Sequence, residues 1–416
     1  MLPHMSHNRL FQPLIHPKAI EICNILQNPG FQAYIVGGCV RDLHLGLQPK
    51  DWDITTNASP EQVIQLFERT IPTGLQHGTV TVCMGEGVEN HFEVTTFRVE
   101  GEYRDGRRPA SVQFVTNITE DLARRDFTIN AIAFDPVSNV GVDPFHGYED
   151  IKIGLIRAVG VPQKRFQEDG LRIMRAARFA ARFGFAIHDE TFQGMIDSLE
   201  TLKKVSKERI NDELSKTLMT SRPHAGVMYL HMSGALDIVC PCLMGRQLPL
   251  IPSLNQCAGE LETRLALLYN KLPHLLVEQE LIDLKFSNKS IKRVAFLLQR
   301  LLDFQHLEDG AFPYRKFIAK FKNEAPDPWE HTYNEFIKLT RAMDVPAETL
   351  LAKYQDTTVH SRKAMQINGD DLLKAGMTPG PRMKALLDVC YQEILEHPEH
   401  NDKEYLLEML RQAVLR

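Results

Sequence analysis

One stretch limits what this chain can become. Residues 34–56 read YIVGGCVRDLHLGLQPKDWDITT. The apolar run Tyr34-Ile35-Val36 predicts a strand ending in Gly37-Gly38, and a short helix opens with Val40-Arg41-Asp42 and stops near Gly46. The turn Pro49-Lys50 then leads to Asp51-Trp52-Asp53 at the start of a second strand, Ile54-Thr55-Thr56. Glycines between a strand and a helix let the backbone approach a ligand closely, and a helix N-terminus offers free N–H groups to phosphate. Arg41 adds a fixed positive charge whose fork suits phosphate oxygens. Residues two apart on a strand share a side, so Asp51 and Asp53 present both carboxylates to one place. Two convergent carboxylates beside a phosphate cradle are what a Mg²⁺-assisted phosphoryl or nucleotidyl transfer needs. Taken singly, the glycine pair reads as a tight turn and D-x-D as a solvated strand end. Their order and closeness favour the chemical reading.

At 416 residues the chain exceeds one ordinary core, so roughly two to four domains are expected. Its 43% hydrophobic and 24% charged residues are those of a soluble globular protein. No apolar run approaches a membrane span, and the opening MLPHMSHNRLFQPLIHP lacks a signal-peptide core, so the expectation is a cytoplasmic protein without a membrane partner. The 7 cysteines are odd in number and lack C-x-x-C spacing, which argues against a disulfide framework or a zinc site. Cys240-Pro241-Cys242 is read as a helix end. A net charge of −5 weakens a nucleic-acid reading without removing it, because binding needs only a local basic stripe, and arginines concentrate between Arg98 and Arg182.

In chain order, a helix is expected over Pro17–Leu26 and another over Ser59–Arg69, capped near Asn57–Pro60. Two period-two strands follow, Gly78–Met84 and His91–Phe97, joined by Gly85-Glu86-Gly87. Glu93 then lies in a strand that could flank Asp51 and Asp53, as a third acidic ligand or base, or equally as a solvated strand residue. The glycine- and arginine-rich segment Arg98–Val112 reads as a mobile loop, either a substrate clamp or plain surface. Glu120–Asn130 is mostly helical and sets Arg124 and Arg125 beside Asp126, a pattern that also serves as a structural ion pair. His188-Asp189 reads as a turn after a helix end.

Arg165-Phe166-Gln167-Glu168-Asp169-Gly170-Leu171-Arg172 and its continuation IMRAARFAARFGF read as a helix. Arg172, Arg175, Arg178 and Arg182 drift along one side of it, usually a solvated face or a phosphate patch. An Asp and an Arg one turn apart can do something sharper. The carboxylate accepts from an exocyclic amine while the guanidinium donates to the adjacent ring nitrogen. Cytosine and adenine both present that pattern, whereas uracil and guanine oppose it with a carbonyl and an N–H. One Asp–Arg fork therefore selects C and A together, and rejection is strong where polar groups would be left unpaired.

GG-x-VRD, D-x-D, RRDFTIN and EDxxR, in this order and spacing, resemble the polymerase-β-type nucleotidyltransferases. The likeness is greatest to their class II tRNA nucleotidyltransferase and bacterial poly(A) polymerase branch. It covers residues 33 to about 220 strongly and most of the rest loosely. The resemblance implies an α+β fold: a nucleotidyltransferase head with a small mixed sheet, then an all-helical neck, body and tail. It implies a lead-in at 1–30, a head at 31–150, a neck with the nucleotide-selecting helix at 151–222, and a tRNA-binding body and tail at 223–416. Asp51 and Asp53 would be the catalytic, Mg²⁺-holding pair. Gly38 and Arg41 would cradle the triphosphate and Arg125 would contact the nucleotide. Asp169 and Arg172 would read the base of CTP or ATP, with Arg175 and Arg178 in support. Asp143–Gly147 with Asp150, and Ser206–Ile210 with Glu213, match further blocks to which structural roles are given.

The function implied is template-independent addition of C, C and A to the 3′ end of tRNA, with no obligate protein partner evident. A bacterial poly(A) polymerase and an A-adding enzyme share these blocks. The stretch Thr73–Val80 resembles the tRNA enzymes, whereas the polymerases tend to carry a basic G-R/K-R/K-F segment there. A non-catalytic RNA-binding protein retaining the fold is a third reading, opposed by the intact D-x-D. Beyond Pro223 the pattern is helical and shows no catalytic cluster. Its scattered Lys285, Lys289, Lys292, Arg293, Lys316, Lys320 and Lys322 could hold an RNA backbone or simply be solvated.

Overall fold

A computed structural model describes residues 14–101, 111–246, 252–326, 328–353, 362–376 and 378–414. The centre of the expected mobile loop, residues 102–110, lies outside the described residues. The chain forms two compact units, Met1–Met244 and Gly245–Arg416.

The first unit is built on a seven-stranded mixed sheet. Its strands are β1 (Ala33–Val36), β2 (Asp53–Thr56), β3 (Thr70–Gly74), β4 (Thr79–Cys83) and β5 (His91–Thr96), then β8 (Ala133–Asp135) and β9 (Val140–Val142). Between them, β6 (Arg98–Glu100) and β7 (Val112–Phe114) pair as a separate antiparallel ribbon. The sheet order is β3-β4-β5-β2-β1-β8-β9, and only β2 and β5 run parallel, with Asp53 opposite Glu93. Alternation in β5 buries Phe92, Val94 and Thr96, which leaves Glu93 on the open face as the period of two requires. Val36, Phe97, Ile118, Leu122, Ala131, Ala133, Val142 and Val159 close one core on the sheet.

Helices α1 (Pro17–Gln27), α2 (Gly38–His44), α3 (Pro60–Leu66), α4 (Ile118–Ala123) and α5 (Gly147–Ile153) accompany the sheet. Ser59 and Gln62 cap α3 reciprocally. This helix stops at Leu66 instead of Arg69, because the chain turns into β3. That strand was not expected: Thr70-Ile71-Pro72-Thr73-Gly74 carries proline and glycine and shows no alternating burial. It is an edge strand with a register shift between Ile71 and Gly74, the one place a sheet tolerates proline. The helix after the glycine pair opens at Gly38, two residues earlier than read. Asp51 and Trp52 precede β2, yet the alternation continues through them, with Asp51 and Asp53 exposed and Trp52 buried.

The remaining helices of this unit are α6 (Pro162–Glu168), α7 (Leu171–Phe183), α8 (Asp189–Asp197), α9 (Leu199–Leu202), α10 (Lys207–Leu218), α11 (Pro223–Ser233) and α12 (Ala235–Val239). The expected single helix through Arg165–Arg172 is broken. Asp169 is extended (φ −149°, ψ 105°), and its side chain accepts from Leu171 N at 3.0 Å to cap α7. Gly170 permits the break, since a Cβ there would lie 2.5 Å from the Thr201 carbonyl. The arginine side of α7 is not a solvated face either. Packing against α10 and α11 leaves Arg172 buried and Arg175 and Arg178 half-buried. His188-Asp189, read as a turn after a helix end, instead begins α8, with Asp189 and Glu190 favourably placed in its first turn.

The second unit is helical: α13 (Leu261–Leu268), α14 (His274–Asp283), α15 (Asn288–Gln305), α16 (Ala311–Glu324) and α17 (Trp329–Ala342) come first. Phe304, Phe317 and Phe336 meet with ring centroids 5.5–6.0 Å apart, joining α15, α16 and α17. Then come α18 (Ala347–Lys353), α19 (Gly369–Lys374), α20 (Pro381–Glu396) and α21 (Lys403–Val414), with Cys390, Ile394, Leu406 and Leu410 in one core. Arg293, read as a possible RNA contact, is buried and faces Glu260 at 3.5 Å. Lys320 pairs with Asp303 and Lys322 lies over Trp329.

Because backbone, not a flexible side chain, occupies the space beside Gly170, Gly170→Ala should cost about 1–3 kcal/mol of stability. Denaturant unfolding of the two proteins measures it, and unchanged stability would refute the close approach.

Candidate active site

The site grows from the turn between β1 and α2. Gly37 has φ +77° and donates to Ile132 O at 2.9 Å. A side chain there would be strained by that φ, and its Cβ, 2.6 Å from Arg125 Nη1, would push that guanidinium aside. At Gly38 a Cβ would meet Arg41 Nη2 at 3.5 Å. Two guanidinium groups therefore flank the glycine pair.

They are held differently. Arg41 is buried, donates to Asp42 Oδ1 from Nε (2.9 Å) and Nη2 (2.6 Å), and donates from Nη1 to Asn130. Its charge lies over Phe183 and Phe179 at 4.7 and 5.3 Å. Burial pushes its pKa down while Asp42 opposes the shift. The fork expected to face phosphate is thus turned inward, and Asp42 passes the network on to Arg182 at 3.1 Å. Arg125 is held loosely, 3.7 Å from Asp121, and its buried Nε has no hydrogen-bond partner among the described residues.

Asp51, Asp53 and Glu93 share a field on the open side. Asp53 reaches solvent, yet the protein packed around it, and then Asp51, raise its carboxyl above the ordinary range, while Arg125 opposes them. Glu93 is raised likewise by burial, then by Asp53 and Asp51. These hard carboxylate oxygens, repelling one another, suit a divalent cation. Cys39 lies behind them with its thiol pushed up to about 12, chiefly by burial and then by Asp53. It is therefore an inert packing group and no nucleophile.

Behind Arg125 runs a chain of buried charges. Asp121, fully buried, accepts from Arg124 Nε and Nη2 at 3.0 and 2.9 Å and from Arg98 N at 3.3 Å. Asp126 accepts from Phe127 N (2.8 Å), Asn130 Nδ2 (3.0 Å) and Arg175 Nε (2.9 Å), with Arg175 Nη2 at 2.7 Å. Burial alone would raise its carboxyl, but Arg175, Asn130 and Arg172 hold it well below the usual range. Arg178 meets Glu213 at 2.5 Å.

Asp169 and Arg172 do not pair with each other. Arg172 donates to Glu168 (2.6 Å), Arg165 O (3.0 Å) and Arg124 O (3.1 Å), which ties α7 to the end of α4. Asp169 receives both terminal nitrogens of Arg209, at 3.1 and 2.6 Å. Sequence reasoning assigned no ligand-side role to Arg209. Its partner is 40 positions away, and nothing local marks the pairing. Asn130, Asp121 and Glu213 lay within segments that sequence reasoning singled out, but their charge and hydrogen-bond partners were not foreseen.

The family model "Poly A polymerase head domain" matches residues 33–157, one for a probable RNA- and SrmB-binding site of polymerase A matches 184–245, and one for tRNA nucleotidyltransferase domain 2 matches 261–410. A CCA-adding enzyme from Lactiplantibacillus plantarum is 37% identical, over 94% of this chain and 95% of its own. One from Lactobacillus helveticus is 39% identical over 89% and 90%. The crystal structure of the Bacillus stearothermophilus CCA-adding enzyme in complex with CTP superposes with a TM-score of 0.74. It is 31% identical and covers 96% of this chain and 99% of that one.

The depressed Asp126 carboxyl contributes stability that is complete above its unfolded pKa of about 3.9 and is lost as pH falls toward the lower folded value. Asp126→Asn should therefore cost about 1.5–3 kcal/mol at neutral pH. It should also flatten the fall in stability below about pH 4, read by thermal unfolding across pH.

Proposed function

The chain belongs to the family of CCA-adding tRNA nucleotidyltransferases, and we propose that it adds C, C and A, from CTP and ATP, to the 3′ end of tRNA without a template, releasing pyrophosphate. The observation that carries this reading is the pair Asp51 and Asp53 beside a glycine turn flanked by Arg125, in a chain matching named CCA-adding enzymes over nearly its full length. The donor set of Asp51 and Asp53 fits Mg²⁺, with Glu93 alongside adding to the negative field. When bound there, Mg²⁺ lowers the pKa of the RNA 3′-hydroxyl and neutralises charge on the α-phosphate.

The chain's own groups do the rest. Gly37 and Gly38, lacking side chains, leave the backbone open to the triphosphate. Arg41 acts from beneath Gly38 as a buried positive charge that also fixes the turn through Asp42 and Asn130. Arg125, held only loosely at 3.7 Å from Asp121, donates to the nucleotide through its terminal nitrogens. Asp169 accepts the exocyclic amine of cytosine or adenine, and Arg172 donates to the neighbouring ring nitrogen. Arg209 aims the Asp169 carboxylate through a two-pronged hydrogen bond. Arg175 and Arg178 brace the helix against Asp126 and Glu213. The cytoplasm is the compartment we propose, since all seven cysteines are free thiols.

Single-nucleotide incorporation tests this reading. With Mg²⁺, tRNA transcripts ending before CCA, after C and after CC should take up C, C and A in order and then stop. Long A tails on any RNA would instead identify a poly(A) polymerase, uptake of ATP on the CC-ended transcript alone an A-adding enzyme, and binding without incorporation an RNA-binding protein. Asp51→Ala should abolish incorporation while tRNA affinity stays unchanged, and residual activity near wild type would remove Asp51 from the site. Arg209→Gln should lower kcat/KM for CTP and ATP roughly 10–100-fold, the loss expected for one charged hydrogen-bond partner, and should narrow discrimination against UTP. Arg209→Lys should recover the charge but only part of the selectivity.

A further inference from the structure

The corner between α20 and α21 gathers chemistry that nucleotide transfer does not use. His397, Glu399 and His400 bring one ligand atom each to within 4.8 Å of one another. The cause is local. Pro398–His400 is a single turn of 3₁₀ helix, whose three-residue period sets side chains i and i+3 above one another. The rings of His397 and His400 accordingly lie against each other, tilted by 31° with centroids 4.8 Å apart. His397 Nδ1 lies 3.5 Å from Glu399 Oε1, close to the edge of roughly 3.3 Å between ligands on a tetrahedral ion with bonds of about 2.0–2.1 Å.

His400 is already oriented. Its Nδ1 sits 2.7 Å from Glu393 Oε1, the oxygen that also accepts from the Tyr405 hydroxyl at 3.1 Å. Its ring stacks on Tyr405 at 4.2 Å. The carboxylate holds the proton on Nδ1 and leaves the Nε2 lone pair free, the arrangement by which proteins orient a ligating imidazole. Two imidazoles and one carboxylate form a borderline donor set that suits Zn²⁺ and discriminates against Mg²⁺, which takes oxygen ligands.

We propose that His397, Glu399 and His400 form a Zn²⁺-binding site that ties the 3₁₀ turn between α20 and α21, with Glu393 and Tyr405 as positioning residues for His400. Water completes the coordination, since the three side chains reach solvent to differing degrees.

The test is calorimetric titration of Zn²⁺ into the full chain, with excess Mg²⁺ present to occupy the carboxylates at Asp51 and Asp53. One Zn²⁺ per chain is expected, together with a Zn²⁺-dependent rise in Tm. His400→Ala and His397→Ala should each remove both effects, and Glu393→Gln should weaken binding roughly 10–100-fold. Circular dichroism checks that each variant is folded, and Glu399→Gln replaces any that is not. No binding by the wild type, or equal binding by the histidine variants, would overturn the assignment.

Discussion

Asp126 and Arg175, 2.7 Å apart, form the contact on which the arrangement of the first unit rests. Asp126 follows Arg125, which flanks the glycine turn, and Arg175 lies one turn beyond Arg172 on α7. One ion pair thus fixes the segment of Arg125 relative to the helix that carries Arg172. A buried charge without a partner is expensive, so each end holds the other in place. The supporting bonds from Asn130 and Phe127 N to Asp126 leave that carboxylate no competing orientation.

The same logic extends along α7. Arg172, Arg175, Arg178 and Arg182 each meet a different carboxylate: Glu168, Asp126, Glu213 and Asp42. These partners come from α6, the loop after α4, α10 and α2 respectively, so one helix organises four segments of the chain. Phe179 and Phe183 sit among the guanidinium groups and offer them ring faces. Selectivity for a base needs such a frame, because a hydrogen-bonding edge displaced by an ångström no longer discriminates.

The acidic side of the site obeys the opposite rule. Asp51, Asp53 and Glu93 are kept close with no salt bridge of their own among the described residues, and the carboxyls of Asp53 and Glu93 are raised chiefly by burial and then by neighbouring carboxylates of the three. Arg125 is the positive group that opposes the rise at Asp53. Structural charges in this unit are paired, whereas those at the open face are left in tension. That contrast separates framework from chemistry.

Local rules were enough for much of this. The order strand, glycine pair, helix, D-x-D follows from periodicity and from the positive φ that Gly37 must adopt, and the alternation that exposes Glu93 depends on neighbouring residues alone. The edge strand β3 escaped because proline and glycine disguise it, and the break at Asp169-Gly170 because Gly170 is pressed against Thr201, a residue distant in sequence. The sequence by itself determined which residues could carry the chemistry, since their types and short-range spacing are written along the chain. Only the tertiary structure decided how each charge is used. It turned Arg41 inward, left Arg125 loosely held, and joined Asp169 to Arg209. The partners that fix those roles are Asp42 and Asn130 for Arg41, Asp121 for Arg125, and Arg209, 40 positions away, for Asp169, each set by the cost of leaving a buried charge unpaired.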